Sequence, residues 1–73
     1  MEEETINKIK LELGDIIEIR SPTNLNLNEN NYYIEYIDAE LIKLVNIATL
    51  GKTNLSLTNW MINDESITQI ILL

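Results

Sequence analysis

Between Ile9 and Leu13 apolar and charged residues alternate strictly, and the alternation resumes over Ile16–Arg20 after Gly14 and Asp15. A period of two marks a strand with one buried face, and a glycine inside such a pattern marks a bend or a bulge. The pattern predicts one long strand kinked at Gly14, or two short strands meeting there. Ser21 and Pro22 end it. The stretch from Ser21 to Asn31 is polar and asparagine-rich, with Leu25 and Leu27 its only large apolar residues. It reads as a long loop whose leucines either tuck onto the fold or present an apolar tip to a partner.

Two β-rich runs follow, Tyr32 to Ile37 and Leu41 to Ile47, joined by Asp38-Ala39-Glu40, which predicts a hairpin. Matching charge and apolar character sets Ile37 opposite Leu41, Tyr36 opposite Ile42, Glu35 opposite Lys43, Ile34 opposite Leu44 and Tyr33 opposite Val45. In that register Tyr32, Ile34, Tyr36, Ile42 and Leu44 form the core face. Tyr33, Glu35, Ile37, Leu41, Lys43 and Val45 form the other, and Glu35 and Lys43 make a cross-strand ion pair. A one-residue slip mixes charge into both faces.

Gly51-Lys52 predicts a turn and Leu55–Thr58 a short strand, while Asn59 to Glu65 is irregular enough for a loop or one helical turn. The β-branched run from Ser66 to Leu73 either closes a barrel against the first strand or lies between subunits. About five short strands, with no repeat and no linker, describe an all-β protein: a small antiparallel barrel occupying 1–73 as one domain, with residues 1–8 frayed. An OB-like barrel usually needs a longer chain. Ile16, Ile37, Leu41, Val45, Ile71 and Leu73 exceed what so small a core can take, and point to self-association as a homodimer.

Composition narrows the chemistry. At 73 residues the core must be small, and isoleucine and leucine supply nearly all of it. There is no cysteine and no histidine, which removes disulfides, thiolate and imidazole metal sites and the commonest general base. Twelve acidic residues against five basic ones give a net charge of −7. That charge repels a phosphate backbone, attracts a basic partner and keeps an apolar domain in solution. No run approaches the length of a transmembrane helix, and the acidic start is unlike a signal peptide. Neither direct nucleic-acid binding nor a membrane partner is expected. The many asparagines and isoleucines also fit coding from an AT-rich genome.

The segment Leu13-Gly14-Asp15-Ile16-Ile17-Glu18-Ile19 resembles the opening of many SH3-like barrels. LELGDIIEIRSP, then YYIEYIDAELIKLVN, then DESITQIILL, together resemble a short domain of unknown function in proteins of nucleocytoplasmic large DNA viruses, including giant viruses of amoebae. The resemblance spans residues 9–73. It implies an SH3-like or Tudor-like barrel, a viral origin, a place in the virion or the infected host cell, and no assigned catalytic residues. On that footing the chain is expected to be a non-enzymatic interaction module for a protein partner, or else a self-associating structural or virion component.

Similarity to Tudor-like barrels implies a site for a basic or methylated, chromatin-associated segment, held in a cage of aromatic faces by cation–π attraction. Tyr33, Trp60, Tyr36 and Tyr32 are the candidate walls, with Asp38, Glu35 or Asp64 as the acidic neighbour. The alternative places Tyr32 and Tyr36 in the core with their hydroxyls at its rim. The carboxylate pairs Asp38/Glu40 and Asp64/Glu65 offer too few oxygens for Ca²⁺ and suit turns and caps better. No metal and no cofactor are expected.

Overall fold

Within the described residues, the first alternating run becomes a strand where hydrogen-bond partners exist on both sides. In the computed structural model, which describes residues 11–73, β1 is Ile16–Arg20. Leu11 to Asp15 is not strand: it turns at Gly14, whose φ of 92° is a conformation that costs glycine little. The Asp15 carboxylate accepts from the Glu12 amide, and the Gly14 amide donates to Ile34 O. Among the described residues, neither the kinked long strand nor a second short strand is present before β1: Leu11 to Asp15 turns, and one strand follows. The Ile9-Lys10 portion of the pattern, and the expected fraying of 1–8, lie outside the described residues.

The remaining strands are β2 (Asn30–Ile37), β3 (Leu41–Asn46), β4 (Lys52–Thr58), β5 (Met61–Ile62) and β6 (Gln69–Leu72). All pair antiparallel in the order β5-β4-β3-β2-β1-β6, and no helix occurs among the described residues. The sheet curls into a half-barrel of small SH3-like type. The C-terminal run does close onto the first strand, with Ile17 opposite Leu72 and Ile19 opposite Ile70. The sixth strand is β5, in the stretch expected to be irregular.

The hairpin corrects the sequence expectation in one respect. Tyr33 faces Val45 and Ile34 faces Leu44 as matching requires, but the register then shifts, so that Tyr36 faces Lys43 and Ile37 faces Ile42. Two local demands conflict. At the turn, Asp38 Oδ1 accepts from the amides of Glu40 and Leu41, and the Asp38 amide donates to Leu41 O, which pairs Ile37 with Ile42. At the other end, apolar matching pairs Ile34 with Leu44. Between them β2 holds one residue too many, and a bulge absorbs it. Beyond the bulge Tyr36 points outward, not into the core, and Ile37 packs inward against the core instead of joining the outer face. The predicted Glu35–Lys43 pair does not form; Glu35 meets Lys52 at 3.6 Å instead.

Inside the curl, Ile17, Ile19, Ile34, Ile42 and Leu44 are fully buried, with Leu27, Tyr32, Leu55, Leu57, Ile67 and Ile70 around them. The long loop splits its leucines: Leu27 is buried, whereas Leu25 is 79% exposed. Several asparagines have structural work. Asn28 accepts from the Ser21 amide, and Asn46 accepts from the amides of Ala48 and Thr49 in the β3–β4 turn. Ser21, the buried polar residue at the end of β1, hydrogen-bonds through its hydroxyl to the carbonyl (2.9 Å) and hydroxyl (2.8 Å) of Ser66. Asp64 in turn accepts from the amide and hydroxyl of Ser66. This chain of bonds fastens the segment that leads into β6.

Candidate acidic and aromatic site

The bulge decides which tyrosine can meet a partner. Tyr32 is buried, its hydroxyl 3.4 Å from Asn26 O, and builds the core. Tyr33 and Tyr36 are each 41% exposed. The Tyr36 hydroxyl donates to Asp38 Oδ2 at 2.6 Å, and Lys43 Nζ lies 5.5 Å from the centre of the Tyr36 ring. That distance is within the range of a cation–π contact. Both partners in the hydrogen bond respond. The Tyr36 hydroxyl bond, then the Glu40 amide, hold the Asp38 carboxyl below its ordinary value, while the bond to Asp38 and its negative charge push the Tyr36 phenol up.

These shifts fix the sign of a pH dependence. Asp38 is depressed in the folded state, so its contribution is complete above the unfolded carboxyl's value of about 3.9 and fades as pH falls through the lowered one. Tyr36 is raised, so its contribution is complete below about 10 and fades as pH rises through the raised value. The difference in melting temperature between the wild type and Tyr36→Phe is therefore expected to be constant from about pH 5 to 9 and to shrink at both extremes. A difference that stays flat across the whole range in calorimetry would show that the pair makes no contribution.

Trp60 occupies an unusual place. Asn59 and Trp60 both have positive φ, 52° and 68°, between the paired residues Thr58 and Met61. Two left-handed residues in a two-residue loop make a type I′ turn, whose second position normally belongs to glycine. A tryptophan there carries backbone strain of about 1–2 kcal/mol. Its amide donates to Ala39 O at 2.9 Å, and the Leu57 amide donates to Glu40 O. The β4–β5 turn is thereby seated against the β2–β3 turn, and Trp60 remains 38% exposed. Asp38, Glu40, Tyr36 and Trp60 thus belong to one end of the sheet.

Tyr33 does not join them. It lies four strand steps from the Asp38 turn once the bulge is discounted, roughly 13 Å along β2, so Tyr33 and Trp60 do not form the two walls of one cage. Glu35 is likewise engaged elsewhere, by Lys52. Among the described residues no three carboxylates gather as a metal site. Asp38 and Asp64 serve their own turns.

No family model, curated protein or solved structure matches the chain. Function has therefore to be sought in the chemistry of the site, because a small barrel of this type serves many roles. The element that sequence patterning missed is the I′ turn. Its signal was present as Asn59 followed by Trp60, with a strand on either side, but the missing glycine concealed it.

Proposed function

We propose that this chain is an interaction module that takes a lysine or arginine of a basic protein segment at the end of the sheet formed by Tyr36, Asp38, Glu40 and Trp60. The observation that carries the proposal is Trp60: a bulky, partly exposed aromatic held where glycine would relieve strain, beside a turn with two carboxylates. Strain retained at an exposed site has a use in binding more readily than in packing. Lys43 over Tyr36 is an internal example of the contact such a ligand would make. The chain's charge of −7 would speed the approach of a basic segment, methylated or not, at low salt. The likeness to Tudor-like barrels suggests a chromatin-associated segment as the partner, and the resemblance to the large-DNA-virus domain suggests the infected cell as its place.

Titrating the protein with a lysine-rich peptide, unmodified and trimethylated, is expected to change Trp60 fluorescence, with affinity falling as salt rises. Trp60→Gly relieves the backbone strain but gives up the packing of a side chain only 38% exposed, so it is expected to leave stability no higher than the wild type's and to weaken peptide binding, followed by calorimetry because the fluorophore is gone, about tenfold. No fluorescence response to either peptide at low salt would overturn the proposal. A second reading, a self-associating structural or virion component, is favoured by a different observation, the apolar row on the outer face of the sheet.

A further inference from the structure

Strand register aligns one row of side chains across the convex face. Ile16 on β1 faces Tyr33 on β2, Tyr33 faces Val45 on β3, and Val45 faces Lys52 on β4. On the other flank the Leu73 amide donates to Ile16 O, which places Leu73, 60% exposed, beside Ile16. Leu73, Ile16, Tyr33 and Val45 form an apolar row four strands wide, on the order of 14 Å at the usual strand spacing. The rows on either side mix polar with apolar residues: Ile71, Glu18 and Asn31 lie on one side, Tyr36, Lys43 and Asn54 on the other. An apolar centre with tyrosine in the middle and a partly polar rim is the anatomy of a protein interface.

Charge selects the occupant. All three basic residues among those described, Arg20, Lys43 and Lys52, are on strands of this face, and each has an internal partner: Arg20 with Glu18 at 3.0 Å, Lys52 with Glu35, and Lys43 over Tyr36. The other described carboxylates lie outside the strands, in loops and turns. The face is therefore balanced within an otherwise strongly acidic molecule. It needs no counter-charge from a foreign partner, and it is the surface on which two copies can meet without stacking like charges.

We infer that a second copy of this chain covers the row, in a two-fold dimer where the row meets itself. The inference rests on the self-association reading; Tyr36, opposite Lys43 in the row next to Tyr33 and Val45, belongs to the cationic site, so the two surfaces share an edge. Sedimentation velocity of the full chain from micromolar to millimolar concentration is expected to show the mass rising to that of a dimer. Tyr33→Glu is expected to raise the dissociation constant at least 30-fold, while Leu25→Glu, in the exposed loop, leaves it unchanged. Should Tyr33→Glu lose its β-sheet circular dichroism, Ile16→Glu at the sheet's open flank replaces it, with the same expected loss of dimer. A full chain that stays monomeric at millimolar concentration overturns the inference, whether the chain's own N-terminal segment or another protein is what covers the row. So does a dimer that survives Tyr33→Glu and Ile16→Glu.

Discussion

Replacing Leu44 by alanine is expected to cost about 3 kcal/mol, most of the roughly 5 kcal/mol available to a domain of this size. Leu44 is fully buried at the centre of the sheet, opposite Ile34 on β2 and Thr53 on β4. Its neighbours Ile34 and Ile42 are strand residues held by pairing on both sides, so the site cannot collapse to fill the void. The cost then includes both the lost transfer energy and the cavity. Urea denaturation should show a midpoint shifted to much lower concentration with the slope retained, or a chain unfolded without denaturant. A loss below about 1 kcal/mol would mean that the inside of the curl is loosely packed.

Ser21→Ala is expected to cost about 1–2 kcal/mol, a large effect for removing one oxygen atom. The hydroxyl is fully buried and reaches two oxygens of Ser66, across 45 residues of sequence. Deleting it leaves the Ser66 carbonyl without that donor and loosens the segment that Asp64 and Ser66 hold in place. The effect should be local before it is global. Amide exchange at Ile70 and Ile71 should accelerate more than exchange in β3, whose interior has neighbours on both sides. Equal acceleration throughout would show that Ser21 contributes only to overall stability. The loop variant Leu25→Ala, changed at an exposed position, supplies the comparison and should leave both strands unaffected.

The elements that sequence revealed are those in which one local rule operates without competition. Alternation located β1 at Ile16–Arg20 and the two hairpin runs, β-branching marked the C-terminal strand, and pairwise matching set Tyr32, Ile34, Ile42 and Leu44 on the inside. It failed where two rules met. The Asp38 turn and the Ile34–Leu44 match each demand a register, and only the three-dimensional compromise, an extra residue at Glu35, reverses Tyr36 and Ile37. Pairwise matching had no means of weighing a turn against a strand.

The candidate site was legible in part for the same reason. Tyr36, Asp38 and Trp60 were visible as an aromatic and acidic set, and Tyr33 was rightly placed off the core face. Which aromatics share an end of the sheet depends on the bulge and on the I′ turn, and neither follows from spacing. Tyr33 consequently moves from the aromatic set to the apolar row. Ile37 leaves the candidate interface altogether, and Leu41, although on the outer side opposite Ser56, is half-buried at the hairpin turn.

The pairing of β1 with β6 also sets an order of events in time. Bringing Ile17 to Leu72 in an unfolded chain closes a loop of more than fifty residues, at roughly 3–4 kcal/mol of chain entropy before any contact repays it. Once the hairpins from β1 to β5 have formed, only the short link after Ile62 remains free, and about half that cost is gone. The productive route is therefore expected to build the meander first and add β6 last. By the same reasoning the last strand to arrive is the first to leave, and the Ser21–Ser66 contact acts as the catch that delays its departure.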